Sequence, residues 1–223
     1  MMKNIFKQFS VKLFGKQLRK PSGFMGKKVG NKMNAVNAFM YNETVECMKL
    51  QPNDNILEIG YGNGKLFHKI FSVTDGIKIS GIDYSKKMYA EACRNNKDAV
   101  AAGRLDLYFG NSNNLSFADN SFNKIFCINV IYFWDNPPKH LQEIKRVLKT
   151  GGLFYTTIRI KEDMLKMPFT KNGFTLYSAG EWKNILEENN FSVTEIRKIT
   201  EPPVELNGKI FQLNSLCIAS EKR

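Results

Sequence analysis

From Gln51 onward, short apolar runs alternate with amphipathic stretches, and this alternation constrains the fold more than any other feature of the chain. Asn55–Ile59, Ile77–Ile82, Leu105–Phe109, Lys124–Val130, Leu153–Ile160, Ser192–Ile199 and Ile210–Ala219 read as seven strands, with helical stretches over about 64–72, 85–99, 137–149 and 179–190 filling most gaps. Strands separated by helices pair in parallel, because the crossover returns the chain to the same edge. The pattern therefore predicts an α/β protein, with a doubly wound, mostly parallel seven-stranded sheet covered on both faces. Between the last two strands stand only Glu201-Pro202-Pro203 and a loop, so the last strand is expected to run antiparallel.

The leading segment has a different pattern. Met2, Ile5, Phe6, Phe9 and Leu13 fall on one stripe at helical spacing, which predicts an amphipathic helix within residues 2–18. Pro21 and Gly23 end it, and Gly26 and Gly30 interrupt the next stretch. Residues 19–32 thus read as a mobile loop ahead of a helix over roughly 33–49. Residues 1–50 form a helical basic N-terminal cap on this reading, and 51–223 the main domain.

Charge divides along the same line. Of the net +12, residues 1–42 carry +9 with no acidic residue before Glu43, and the remaining chain carries only +3. An anionic partner would therefore meet the N-terminus rather than a groove across the fold: a membrane surface through residues 1–20, or, less favoured, a nucleic acid. No apolar run approaches the roughly 20 residues that cross a bilayer, and the N-terminus lacks a secretory apolar stretch. A cytoplasmic location is expected. Cys47, Cys93, Cys127 and Cys217 include no C-x-x-C pair, and His68 and His140 lie near none of them, so no zinc site or disulfide framework is indicated.

Chemistry concentrates after the first strand, in Glu58-Ile59-Gly60-Tyr61-Gly62-Asn63-Gly64. Glycines let a chain turn tightly and let a ligand approach backbone N–H groups. A dinucleotide fingerprint needs its third glycine at position 65, where Lys65 stands. A phosphate-binding P-loop needs glycine at 59 and a hydroxyl residue at 66, where Ile59 and Leu66 stand. Asp83 ends the second strand, 19 residues beyond Gly64, where a carboxylate can accept both hydroxyls of a ribose. Further on come Gly110-Asn111-Ser112-Asn113-Asn114-Leu115-Ser116-Phe117, Asp119-Asn120-Ser121-Phe122 and Arg146-Val147-Leu148-Lys149-Thr150-Gly151-Gly152. Asn136-Pro137-Pro138 reads as a helix N-cap followed by first-turn prolines.

In content and order, residues 51–160 resemble the class I S-adenosylmethionine-dependent methyltransferases, particularly the small-molecule branch that includes the ubiquinone and menaquinone C-methyltransferases. The resemblance implies a Rossmann-like fold, S-adenosyl-L-methionine as cofactor and methyl transfer to a small molecule. It places Gly60, Tyr61, Gly62 and Gly64 at the methionine end of the cofactor, with Glu58 organising that loop. Asp83 would hold the ribose, Tyr84 would lie against the adenine, and Asn111 and Ser112 would recognise the adenine edge. Asn111 stands where the family usually has Asp, which removes an ionised acceptor. Asn129 would sit near the sulfonium, and Tyr132 is the candidate residue facing the acceptor.

Methyl transfer from a sulfonium is an in-line displacement that needs alignment and exclusion of water rather than a metal or a dedicated triad. Tyr132, Tyr41, Tyr177 and His140 are the candidates for a base by position. Residues 161–177 read as an apolar insertion covering the acceptor pocket together with the N-terminal segment. Two other classes stay open: an RNA methyltransferase that uses the basic N-terminus, and a non-catalytic cofactor-binding module.

Overall fold

The computed structural model describes residues 2–206 and 209–223, with side chains described for 11–203 and 210–223. In chain order the elements are α1 (Met2–Arg19), α2 (Gly23–Met48), β1 (Asn55–Ile59), α3 (Phe67–Phe71), β2 (Lys78–Asp83), α4 (Lys86–Asn95), α5 (Lys97–Ala101), β3 (Leu105–Phe109), β4 (Phe122–Ile128), α6 (Pro137–Val147) and β5 (Leu148–Arg159). They continue with α7 (Lys161–Leu165), α8 (Ala179–Glu188), β6 (Phe191–Thr200), β7 (Val204–Leu206), β8 (Lys209–Phe211) and β9 (Asn214–Lys222).

Among the described residues, seven strands form one sheet in the order β3-β2-β1-β4-β5-β9-β6. Neighbours from β3 to β5 pair in parallel, and β9 runs antiparallel to both β5 and β6. The expected architecture and the antiparallel last strand are as the alternation implied. That strand starts later than its apolar run: Lys209–Phe211 pairs with Val204–Leu206 in a separate ribbon, and β9 begins at Asn214.

β1 explains why the sheet is covered on both faces. Every residue from Ile56 to Ile59 is buried, with Ile56 packing into one apolar layer and Leu57 into the other. One layer joins the sheet to α6 and α8, the other to α2 and α3. Local signals set the helix starts. Asn136 caps α6, with Oδ1 accepting from Lys139 N and prolines in the first turn, and Ser178 and Glu181 form a capping box on α8.

Two expectations need correction at helix starts. The stretch read as helical from residue 64 becomes regular only at Phe67, because Gly60, Gly62 and Gly64 all take positive φ and cannot join a right-handed helix. The supposed loop over residues 19–32 is instead a corner, Lys20–Ser22, followed by 26 continuous residues of α2. Pro21 ends α1, and the Gln17 side chain clamps the corner, accepting from Ser22 N at 2.9 Å and donating to Ser22 Oγ at 3.2 Å. Gly26 and Gly30 do not break α2. A Cβ at Gly30 would lie 3.2 Å from the Met88 sulfur, so this glycine lets α2 pass close over α4. The apolar stripe predicted for α1 falls largely on residues 2–10, whose side chains lie outside the described set.

The far half of α2 is bolted to the sheet. Thr44 and Thr157 share a hydrogen bond of 2.7 Å, and Arg159, paired with buried Glu201 at 2.7 Å, donates to the Val36 carbonyl at 3.2 Å.

Candidate active site

A cavity of about 320 Å³ opens over the C-terminal ends of β1, β2 and β4, where open α/β sheets bind ligands. Its floor is the glycine loop. Gly60 N–H donates to the Ile82 carbonyl at 2.8 Å and Gly62 N–H to Asp83 Oδ2 at 2.9 Å, so the loop hangs from the neighbouring strand. A Cβ at Gly62 would meet no atom within 4 Å, so bare backbone faces open space there. At Gly60 it would lie 2.4 Å from a Val130 methyl.

Asp83 is buried, and its other oxygen accepts from Ser85 N–H at 2.8 Å. Burial pushes its carboxyl up to about 6, against the two backbone hydrogen bonds that favour the charge. Each carboxylate oxygen has room for more than one donor, so acceptor capacity for a vicinal diol remains beside the loop. Glu58 lies deeper, accepting from the Tyr41 hydroxyl at 2.7 Å; burial raises it to about 8, against that hydrogen bond, with the Asp83 charge adding to the rise. Asn129, in the left-handed region at φ 57°, turns its carboxamide toward Asn37, 3.3 Å away.

Of the residues singled out in the sequence, Glu58, Gly60, Tyr61, Gly62, Asp83, Tyr84, Asn111, Ser112 and Asn129 all line this one cavity. Gly64 and Tyr132 do not. Gly64 packs on α4, where a Cβ would lie 2.9 Å from that of Ala92. Tyr132 is turned into the core: its hydroxyl accepts from Arg159 N–H at 2.7 Å and donates to the Arg159 carbonyl at 3.1 Å. It holds the end of β5 and does not line the cavity, although the same hydroxyl also lies 3.3 Å from Oδ1 of Asn129, which does. The insertion is corrected too. Phe169 packs edge-on to Phe14 of α1, and Met164, Met167 and Tyr177 are buried away from the cavity, so this segment props the roof from outside.

The N-terminal segment covers the cavity as expected, but apart from Tyr41 the residues by which it does so were not singled out. Leu18, Arg19, Pro21, Gly30, Met33, Asn34, Asn37 and Tyr41 line the cavity from above. Asn34 donates to Asn63 Oδ1 at 2.8 Å. At the corner, the Tyr84 hydroxyl donates to the Arg19 carbonyl and the Ser85 hydroxyl to the Pro21 carbonyl, both at 2.6 Å. Arg19 pairs with Asp135 at 2.8 Å and donates to the Phe133 carbonyl. The available signal was Asn34, Asn37 and Tyr41 at i, i+3 and i+7, one polar face on a helix. His140, a candidate base by position, both lines the cavity and supports it. Its ring stacks on Trp134 with centroids 4.5 Å apart, Nδ1 lies 2.7 Å from Ser112 Oγ, and burial lowers it to about 4, so it is neutral near pH 7.

Known proteins point the same way. Residues 57–156 match the methyltransferase domain family. The chain is 32% identical to YrhH of Bacillus subtilis, named as a candidate methyltransferase, over 51% of this chain and 62% of that protein. It is 30% identical to the demethylmenaquinone methyltransferase of Desulfitobacterium hafniense, over 60% of this chain and 53% of that one. The chain thus spans about half the length of the curated relatives it matches. In fold it is similar to a chain of the Haloferax volcanii complex between the Trm112 methyltransferase activator and a candidate methyltransferase, with a TM-score of 0.73 at 19% identity, covering 86% of this chain and 92% of that one.

Proposed function

We propose that the protein, whose residues 57–156 match the methyltransferase domain family, is a class I S-adenosylmethionine-dependent methyltransferase that transfers a methyl group to a small-molecule acceptor. The observation that carries this reading is the roof: α2 and the α1–α2 corner enclose the cavity above the glycine loop, which favours a small acceptor over a polymer lying across the sheet. S-adenosylmethionine, when bound, supplies a methyl group already activated on a sulfonium sulfur. The protein's own tasks are then to hold two molecules in line and to keep water out.

Asp83 holds the ribose hydroxyls, Asn111 and Ser112 meet the adenine edge, and Tyr84 packs beside it with its hydroxyl anchored to the corner. Gly60, Tyr61 and Gly62 shape the methionine end, with Glu58 and Tyr41 behind them. Asn129 and Asn37 offer carboxamides where the methyl group leaves. Of the candidate bases, Tyr132 and Tyr177 stand off the cavity, and burial makes His140 a weak base, its ring lowered to about 4 with Nδ1 already facing Ser112 Oγ. The Tyr41–Glu58 pair remains on the wall and can take a proton from an acceptor once Glu58 is ionised, as pH rises through about 8.

A membrane contact is the finer reading of the basic segment. Phe24 is 77% exposed and Met25 46%, at the start of α2, beside exposed Lys20, Lys27 and Lys28. Two apolar side chains among lysines suit an anionic bilayer surface. An RNA would use the same lysines. Co-sedimentation with anionic vesicles, with neutral vesicles and with RNA, each at two salt concentrations, separates the two partners. The activity itself is tested by calorimetry with S-adenosylhomocysteine and NAD, then by an acceptor screen that detects S-adenosylhomocysteine release. Equal binding of NAD, or the absence of S-adenosylhomocysteine binding, overturns the reading.

A further inference from the structure

The corner between α1 and α2 has two faces. Its inner face closes the cavity: Arg19 and Pro21 line it, held by the Tyr84 hydroxyl on the Arg19 carbonyl and the Ser85 hydroxyl on the Pro21 carbonyl. Its outer face carries exposed Phe24 and Met25 among Lys20, Lys27 and Lys28, with the Lys28 ammonium 5.0 Å from the centre of the Phe24 ring. α4 extends this face. A Cβ at Gly26 would lie 3.4 Å from Lys87 Cγ, which brings Lys86 and Lys87, in the first turn of α4, beside the start of α2. Among the described residues, only Lys87 of these five lysines pairs with a carboxylate, Glu91 at 3.2 Å.

The two faces share side chains. Lys20 reaches from the outer face to lie 5.1 Å from the centre of the Tyr84 ring, which lines the cavity and whose hydroxyl holds the corner down. Gly26 packs back on the corner, where a Cβ would lie 3.0 Å from the Pro21 carbonyl carbon. A shift of the first turn of α2, which carries Phe24 and Met25, is thereby passed to Pro21. The cavity is also small. Its volume of about 320 Å³ is at the lower end of the roughly 300–1,000 Å³ that a site for one small molecule occupies. A cofactor and an acceptor together need more, so a wall has to give. The floor belongs to the sheet, whereas the corner is attached through side chains.

We propose that the corner is a membrane-operated gate: an anionic bilayer that takes up Phe24, Met25 and the surrounding lysines draws the corner away from Tyr84 and Ser85 and opens the cavity to an acceptor dissolved in the bilayer. This role rests on the methyl transfer and the membrane contact proposed above. Phe24 and Met25 suit acyl chains better than a phosphate backbone, which offers apolar side chains no place to be buried. The lysines supply attraction to anionic headgroups, and lipid phosphates compete with the Tyr84 ring for Lys20. A surface that binds the open form more tightly shifts the protein toward it.

The test uses the full chain with vesicles of equal parts phosphatidylglycerol and phosphatidylcholine, and in parallel with pure phosphatidylcholine vesicles and with polyuridylate RNA. Hydrogen exchange of the ligand-free protein reads the two faces separately. Anionic vesicles are expected to slow exchange over residues 20–28, which enter the interface, and to speed it at Gly62 and Ser85, whose amides are bound to Asp83 beneath the corner. With S-adenosylhomocysteine bound, the same vesicles are expected to speed its dissociation by about 5-fold in stopped flow. The double variant Phe24→Ser, Met25→Ser should keep its solution affinity for S-adenosylhomocysteine within about twofold, since neither side chain lines the cavity, and lose both responses to vesicles. Slower exchange over residues 20–28 with no change at Gly62 and Ser85 leaves a docking surface and overturns the gate. An equal response to neutral vesicles, or a response to RNA alone, overturns the anionic bilayer as its trigger. A protein that opens on anionic vesicles yet binds no S-adenosylhomocysteine supports the gate and refutes the methyl-transfer reading.

Discussion

The floor of the cavity hangs from backbone: Gly60 and Gly62 are tied to β2 by amide hydrogen bonds, and one carboxylate, Asp83, collects two amides. The roof comes from a different part of the chain and is joined through side chains: Asn34 and Arg19 of the roof, and the floor-side hydroxyls of Tyr84 and Ser85 donating to its Arg19 and Pro21 carbonyls. A backbone floor is fixed by the sheet that carries it. A side-chain roof, joined across element boundaries, can be released without unfolding the sheet. The contrast assigns precision to one wall and exchange to the other.

Breaking the floor is expected to have the largest effect. Asp83→Ala removes the proposed ribose acceptor, and charge-assisted hydrogen bonds contribute about 1.5–3 kcal/mol each, so S-adenosylhomocysteine affinity should fall by roughly 10–100-fold or more by titration calorimetry. Unchanged affinity in a folded Asp83→Ala protein would falsify the assignment. The two loop glycines sharpen it. Gly60→Ala drives a Cβ into Val130 and should lower the melting temperature, whereas Gly62→Ala faces open cavity, and its positive φ costs only about 1–2 kcal/mol. Gly62→Ala should therefore lose proportionally more affinity than stability.

Tyr132→Phe reports on the core beside the floor. It strips the acceptor from the buried Arg159 amide, a loss of about 1–3 kcal/mol, and should leave S-adenosylhomocysteine affinity within about threefold. A large affinity loss without destabilisation would return this residue to the site.

The pH response isolates the floor's two carboxyls. Asp83 and Glu58 titrate near 6 and 8 in the folded protein, above their ordinary 3.8 and 4.5, so the folded state binds more protons than the unfolded one between those limits. Their contribution to stability is therefore fully present below about pH 4 and is lost as pH rises through about 8. Melting temperatures of the ligand-free protein should fall across this window, and Glu58→Gln should flatten its upper part. Ligand hydroxyl and ammonium donors favour the ionised carboxylates, so affinity should rise over the same window. A melting temperature that climbs in wild type and in Glu58→Gln alike would contradict the sign.

The smallest effect is expected at the roof. Asp135 is 86% exposed, and exposed ion pairs contribute about 0–1 kcal/mol, so Arg19→Ala should barely move the melting temperature. Its signature is kinetic: faster dissociation of S-adenosylhomocysteine by stopped flow, with little change in the fold. A dissociation rate equal to wild type would leave the corner without a gating part.

The same contrast explains what could be read from the sequence. Gly60, Gly62, Asp83 and Asn111 were legible because backbone turns and strand ends impose residue types at fixed spacing, and spacing survives in one dimension. Strands β1 and β3 were legible to the residue because their apolar runs end where the ladder ends. Tyr132 was misplaced because the 3-10 turn Ile131–Phe133 decides which neighbouring aromatic faces the cavity, and no periodicity encodes a single turn. Gly30 was misread because a glycine that permits close helix contact and one that breaks a helix look the same until the partner, Met88, is known. The roof depends on pairings such as Asn34 with Asn63, which only folding brings together.

The 26 residues of α2 run without a break from the corner to Met48, about 39 Å of rod at the rise of an α-helix. A rod bolted at one end moves at the other as a lever. The Asn34 contact sits on this rod and the Pro21 and Arg19 contacts sit on the corner joined to its free end, so a displacement of α2 would strain the three together. A lever also trades distance for force: a shift of a few tenths of an ångström beside Thr44 is magnified at Gly23.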